Sequence, residues 1–551
     1  MSHEPVLEVY ESPVVPPPPV LSAGEQPEEE REGDSAGLAR ATTILAVGNI
    51  ASRLLGFVKE ILLANYFGAG RLVDAFQIAI TIPQDLYDLT ISGYVNSALV
   101  PVLSEYAVRD RAELWRLTSI LLGLVTVVTS AIVLLLEIFT PQVVILYRGN
   151  INPAALSLTA QLLQLTAPAL IFQSLFAVAS GLLYALRRFT WPAFAAALFN
   201  GTIVVTMVVL APVIGIERAA IGFLLGAILQ FALQFGGLRG TKVSLQLRGA
   251  LSHPGVRRIG LLYIPVLASL IMDIIIRLFS YNLASQGPNA DGNIAYMNWG
   301  TSLREFPLGL VGTAISIAIL PTLARQALKP ETRQQFKNTL GQGIRLALTL
   351  IVPATVGMLV LAGPLVGLVF ERGAFTASNT YETSIVLRLY LLGIPFAAVD
   401  LLLVYAFYAV KDTLTPALVG IFSLACYIVI ALALQHKSGF LSLMIADSGK
   451  HIIHMTLCIF LLRRKLKGLG SQRIPKTLLK VILATLVMAL VTYMLELSAE
   501  RLWPVQGLAQ RAILVMLPAT FGIITYFILA SLLKLNDFTV FIQDMRRKIR
   551  K

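Results

Sequence analysis

Apolar runs of roughly 20 residues recur along the whole chain, separated by short stretches of Pro, Gly and charged residues. Each run is long enough to cross a hydrocarbon core of about 30 Å as a helix. In lipid a backbone must satisfy its own polar groups, so such a run is read as helix. Counting runs by apolar length and by punctuation predicts about fourteen spans. Their approximate extents are 40–66, 72–106, 117–139, 160–186, 192–214, 218–238, 259–285, 293–324, 341–362, 381–410, 415–435, 440–462, 477–497 and 510–534, numbered 1 to 14 below.

Basic residues are not spread evenly over the links. Arg109, Arg111 and Arg116 follow span 2, and Arg187 and Arg188 follow span 4. Arg239, Lys242, Arg248, Arg257 and Arg258 follow span 6; Arg325, Lys329, Arg333 and Lys337 follow span 8; "RRKLK" at 463–467 follows span 12. Links after odd spans carry about one each, such as Arg148, Arg218 and Arg372. The bias toward the cytoplasm of Lys and Arg in short loops places the even links, and with them both termini, inside.

An internal repeat sets the architecture. "YRG" at 147–149 returns as "ERG" at 371–373, Tyr184 as Tyr408, and "WPA" at 191–193 as "TPA" at 415–417, all displaced by 224 residues. "ALVPVL" at 98–103 returns as "AILPTL" at 318–323. A copy an even number of spans away keeps its orientation, so two parallel six-span lobes enclosing a central cavity are expected. The division is 1–37 as a disordered cytoplasmic tail, 38–240 as the N-lobe, 241–462 as the C-lobe, 463–534 as spans 13 and 14, and 535–551 as a basic cytoplasmic tail. In that last tail Phe538, Phe541, Ile542, Met545 and Ile549 recur at helical spacing, either lying on the inner membrane surface or forming a solvated charged helix.

Composition supports an all-α integral membrane protein: 551 residues, 56% hydrophobic and 14% charged, with a mean hydropathy of +0.75. The net charge of +13 sits in links and tail, where it reports topology rather than nucleic-acid binding. The Pro-rich, acidic first 37 residues lack the apolar core of a cleavable signal peptide. Cys426 and Cys458 both fall in apolar segments, which indicates neither a disulfide framework nor a thiolate metal site. Phosphate loops and hydrolytic motifs are absent, and no enzyme chemistry is expected.

The chemistry lies in charges inside the spans, each costing about 2.5–3.5 kcal/mol on insertion scales unless it has a partner or a wet cavity. Span 1 carries Arg53, Lys59 and Glu60; span 2 carries Asp74, Asp85 and Asp88; span 7 carries Asp273 and Arg277; span 8 carries Arg304 and Glu305. These are the first two spans of each half and would face one another. They either pair internally and fix packing, or line a hydrated, partly cationic cavity for an anionic head group. In span 12, Asp447, Lys450, His451 and His454 share one helical face, which can be read as a zinc site or as polar packing.

"SRLLGFVKEILLANYFGAGRLVDAF" resembles the first-span signature of the MurJ (MviN) family of lipid II flippases. The resemblance continues through "SALVPVLSEY" at 97–106, "EFPLGLVGTAISIAILPTL" at 305–323, "ERGAFTA" at 371–377 and "FYAVKDTLTPALV" at 407–419. It implies fourteen spans and a multi-pass protein of the bacterial cytoplasmic membrane. Its substrate would be the undecaprenyl-diphosphate-linked saccharide-peptide precursor of peptidoglycan, moved from inner to outer leaflet by alternating access. A relative carrying another polyprenyl-linked glycan, or a drug, is the alternative. Arg53, Lys59, Arg277 and Arg304 are the expected diphosphate ligands, with Asp74 and Glu305 orienting them or gating. Tyr87 and Ser302 stand where the family usually has arginines, and Arg304 is displaced by about 200° from the Ser302 face on an ideal helix. Arg277 stands where some members carry an acid linked to sodium. No cofactor or metal is assigned; a coupling sodium or proton, or the membrane potential, would drive the cycle. The partners expected are the lipid substrate and membrane lipids, with no nucleic acid and a monomer as the working form.

Overall fold

A computed structural model describes residues 28–92, 98–149, 153–250, 252–287, 289–328, 330–468, 472–502 and 507–535. Among the described residues every expected span is helical. Span 1 is Glu28–Phe67, starting within the stretch expected to be a tail; span 2 is Arg71–Tyr87 continued by a π-helix Asp88–Ser92 and by Val100–Arg109. Spans 3 to 6 are Arg111–Ile138, Pro153–Thr166 with Ala169–Ala185, Thr190–Val209 and Glu217–Gly237. Span 7 is Pro254–Ala284; span 8 is Asn293–Pro307, a π-helix Leu308–Thr313, and Ala314–Ala327. Spans 9 to 12 are Arg333–Val360, Ala377–Leu391 with Ile394–Ala409, Leu414–Ser438 and Ser442–Lys465; spans 13 and 14 are Ile474–Leu502 and Leu508–Leu532. Phe538, Phe541, Ile542, Met545 and Ile549 lie outside the described residues.

Eight of these helical stretches, or nine counting the bent pair of span 10, are by themselves long and apolar enough to cross a membrane. One of the eight, Leu414–Lys465, comprises two helices packed side by side, spans 11 and 12. Spans 1, 2, 7 and 8 are outside that set, and in 2 and 8 a π-helix divides the span into α-helices of 17 residues or fewer.

The backbone repeats with the sequence. A short helix follows the third span of each half, Thr140–Arg148 and Ala362–Phe370. The chain leaves both through the repeated glycine in left-handed conformation, Gly149 at φ 74° and Gly373 at φ 55°, a region that a side chain disfavours. Arg187 and Lys411, three residues beyond the repeated Tyr184 and Tyr408, both adopt φ 58°. The second span of each half breaks into a π-helix, a feature that often accompanies functional sites. The fourth of each half is broken as well, and span 10 bends by 41°.

Spans 1, 5 and 6 pack together, as do 2, 3, 4 and 6; in the second half 8 packs on 9 and 10, and 10 on 12. Gly222 and Gly226 of span 6 let span 5 approach so closely that a Cβ at 226 would lie 2.9 Å from the Phe199 carbonyl oxygen, the small-residue packing typical of membrane helices. Spans 13 and 14 pair with each other and rest on span 9, with Leu479, Leu486, Ile524 and Ile528 exposed outward as a lipid-facing surface.

Candidate functional site

At the end of the bundle that carries the links after odd-numbered spans, the two halves are tied. Asp74, buried near the start of span 2, accepts hydrogen bonds from the backbone N–H groups of Gly292 (2.7 Å) and Ala295 (2.9 Å). It thereby caps span 8 from the opposite half, satisfying donors that a helix N-terminus leaves orphaned. Arg148 reaches Asp291 at 3.3 Å, and the Ala374 N–H donates to the Asn65 carbonyl at 2.8 Å. At the other end, the start of span 7 reaches the first half through Arg258 to Glu105 at 2.6 Å and His253 to Glu113 at 3.2 Å.

Between these ends spans 1 and 8 face each other across a cleft of ≈ 210 Å³ lined by Arg53, Gly56, Phe57, Glu60, Ser302, Glu305 and Phe306. Ser302 and Glu305, three residues apart, share the face that looks at Arg53. Arg53 is exposed and enters no ion pair among the described residues; its guanidinium stands beside Gly309 of the π-helix, where a Cβ would lie 3.6 Å from Nη1. Lys59 pairs with Glu60 at 3.0 Å, and the Trp299 indole N–H donates to the other Glu60 oxygen at 3.2 Å. Phe57 meets Phe306 edge-on, ring centroids 5.3 Å apart.

The remaining predicted residues lie elsewhere. Arg277 pairs with Asp85 at 3.0 Å, and Asp85 also accepts from the Tyr147 hydroxyl at 2.8 Å. Arg304 projects away from the Ser302 face into the second half, where it pairs with Asp447 and stacks over Tyr390 at 4.2 Å. Asp447 also holds Lys450 at 2.8 Å. The structure thus brings Arg53, Glu305 and the Lys59–Glu60 pair together; it gives Lys59, Arg277 and Arg304 each a carboxylate and places Asp74 on the span 8 terminus.

Sequence reasoning expects the prenyl tail beside a groove formed by spans 13 and 14, without naming its walls, and an apolar groove does lie beside the cleft. It has a volume of ≈ 470 Å³ and lies between spans 8, 9, 13 and 14, with Val311, Leu365, Met488, Gly522 and Tyr526 on its walls. Phe306 lines both it and the Arg53 cleft. No single span carries a signal for it, because four spans each contribute a few ordinary apolar residues.

Two halves around a charged cleft, tied at both ends and joined between them through Arg277–Asp85 and Trp299–Glu60, are the architecture of a multi-pass transporter. The fold is shared with an inward-facing multidrug resistance MATE family transporter of the MOP superfamily (TM-score 0.64, 13% identity, 78% of this chain and 99% of that one). It is shared more fully with a structure described as lipid II flippase MurJ, inward closed conformation (TM-score 0.74, 23% identity, 90% and 99%). The chain belongs to the lipid II flippase MurJ family, whose model matches residues 63–525. A Vibrio cholerae relative described as a probable lipid II flippase MurJ is 31% identical, covering 91% of this chain and 97% of the relative. A Haemophilus influenzae relative of the same description is 32% identical over 68% of this chain and 76% of its own length.

Proposed function

We propose that this protein is a flippase of the cytoplasmic membrane that carries a polyprenyl-diphosphate-linked peptidoglycan precursor, lipid II, from the inner to the outer leaflet. The observation that carries this reading is the junction at Phe306. A lipid-linked diphosphate has a dianionic head on a long apolar chain, and here a cleft with an unpaired guanidinium adjoins an apolar groove through one shared side chain. Arg53 suits a phosphate through its planar fork of donors. Lys59 is the second cation at hand, released when Glu60 turns wholly to Trp299. The prenyl chain stays in the groove against spans 13 and 14, so only the head must cross.

Alternating access follows from ties at the two ends that are made and broken in turn, while the cleft lies between them. No covalent step is needed. Both termini lie inside, and the inside-negative potential favours outward movement of an anion by roughly 2.3 kcal/mol per charge per 100 mV. A coupling sodium or proton resets the empty carrier, and the working form is a monomer. A drug exporter of the same superfamily fits less well, because the family model and the relatives that match this chain are those of lipid II flippases.

The test uses a bacterium depleted of its own lipid II flippase, with precursor exposure on the outer leaflet read by an external lipid II probe. The chain should restore exposure, Arg53→Ala should lower it at least tenfold, and Arg53→Lys should retain a measurable part. Full exposure with Arg53→Ala, at equal protein level, would overturn the role given to the cleft.

A further inference from the structure

The four polar residues on the face of span 12 divide between two environments. Asp447, Lys450 and His451 gather at Arg304, with His451 3.8 Å from Asp447. His454 turns instead toward Asp400 of span 10 and toward Cys458, one turn further along its own helix. We propose that Asp400, His454 and Cys458 form a binding site for a divalent cation of the zinc class, joining span 10 to span 12.

One ligand atom from each of the three can be found such that all lie within 4.8 Å of one another. A tetrahedral zinc ion, with Zn–N about 2.0–2.1 Å and Zn–S about 2.3 Å, sets nitrogen and sulfur roughly 3.6 Å apart. The His454 Nδ1 to Cys458 Sγ distance is 3.6 Å, which already matches that edge. The corresponding nitrogen–oxygen edge is about 3.3 Å. Asp400 Oδ1 stands 2.6 Å from Nδ1, so its carboxylate must withdraw by well under 1 Å to admit the ion.

A second observation points the same way. The other ring nitrogen of His454, Nε2, faces the Pro416 carbonyl oxygen at 3.4 Å. In the tautomer with its proton on Nε2, that carbonyl takes the N–H and the Nδ1 lone pair is aimed at the Asp400 carboxylate and the Cys458 sulfur. A metal ion bound there would take that lone pair together with the carboxylate and the thiolate, and an outer carbonyl that fixes the tautomer is the usual partner of a metal-bound histidine. Among the described residues Asp400 has no Lys or Arg partner; its ion pair is with His454. Cys458 is fully buried, while the His454 and Asp400 side chains each keep 14% of their surface accessible, enough for a fourth, exchangeable ligand. The site is separate from the Arg53 cleft and lies within the second half, where it would fix the register of span 12 and so the position of Asp447 against Arg304.

The test is made on the full-length protein in lipid nanodiscs after chelation and buffer exchange. Titration with Co²⁺ should give one bound ion per chain, with thiolate-to-cobalt charge-transfer absorption and ligand-field bands of tetrahedral intensity, displaced by one equivalent of Zn²⁺. Cys458→Ser should abolish the charge-transfer band, and His454→Gln should weaken cobalt binding at least tenfold. Cys426→Ser, outside the cluster, should change neither. Variants that elute as the wild type does on size exclusion are the ones compared. A protein that takes up no stoichiometric cobalt or zinc, holding only an imidazolium–carboxylate pair, would overturn the proposal. So would a charge-transfer band that survives Cys458→Ser.

Discussion

Replacing Asp74 by alanine separates a structural tie from a ligand. In the free protein its two carboxylate oxygens take the N–H groups of Gly292 and Ala295 at 2.7 and 2.9 Å, and the side chain is 2% exposed. Alanine leaves both donors buried and unmet. Each such group costs about 1–3 kcal/mol, and loss of a helix cap alone costs about 0.5–2 kcal/mol. The carboxylate repays part of this by no longer being desolvated, so the net loss expected is about 2–4 kcal/mol, a factor of roughly 30 to 1,000 in the population of the tied state. Asp74→Asn keeps one acceptor and should lose about half as much. Hydrogen–deuterium exchange of the ligand-free protein in nanodiscs reads this directly: peptides holding Gly292 and Ala295 should lose protection in Asp74→Ala, with a lower apparent melting temperature. The neighbouring Arg148–Asp291 pair has one partner half exposed, a setting worth at most about 1 kcal/mol, so Asp291→Asn should change protection far less. If Asp74 instead served only to bind substrate, Asp74→Ala would leave exchange and melting unchanged without ligand, and that result would refute the capping argument.

Glu60→Gln should free Lys59 from its 3.0 Å ion pair and give the cleft two unpaired cations. Undecaprenyl diphosphate should then bind about tenfold more tightly with a steeper salt dependence, while turnover falls because release is slower; unchanged affinity would mean that Lys59 does not reach the head group. Gly226→Val should drive span 6 off span 5, since even a Cβ would sit 2.9 Å from the Phe199 carbonyl. Overpacking of this kind costs about 1–3 kcal/mol, measurable as a lower melting temperature and absent if the spans can part freely. Asp412, in the link after span 10, is lifted by partial burial but held below the ordinary carboxylate range overall by Lys465 and Thr415. A depressed pKa stabilises the fold above the unfolded value of about 3.9 and ceases to do so as pH falls through the folded one. Asp412→Asn should therefore lower the melting temperature at pH 7 and approach wild type in strong acid; an equal deficit at both would exclude the ion pair as its cause.

The fourteen spans could be located from apolar length, even spans 2 and 8, which π-helices divide into shorter α-helices, because Pro, Gly and basic links bound them as sharply as the others. The repeat carried further than its residues alone imply: Gly149 and Gly373, and Arg187 and Lys411, keep matching backbone conformations. The start of span 1 at Glu28 was not foreseen, since a polar, acidic stretch reads as tail until it is seen to continue a helix. Helical spacing did place Arg304 away from the Ser302 face. What spacing cannot supply is a partner from another span. Nothing near position 304 names Asp447, nothing near 277 names Asp85, and nothing near 74 names the Gly292 and Ala295 amides. The four expected cations were therefore grouped by sequence, whereas tertiary packing distributes them over three separate environments.

That distribution changes how a head group would be held. A cavity of four bare cations would bind a diphosphate tightly and release it slowly, which is poor economy for a carrier that must let go on the far side. With Arg277 on Asp85, and Arg304 and Lys450 both on Asp447, those charges bind spans 7, 8 and 12 to their neighbours. Their strength then sets the cost of rearranging the lobes. Arg53 alone is left open, on the span that faces the π-helical break of span 8, where a backbone with a misfit hydrogen-bond ladder is easiest to move. A head group that docks on Arg53, as proposed, would therefore meet span 8 at its π-helical segment beside Gly309, so that binding energy would be delivered where the helix of the second half is already broken.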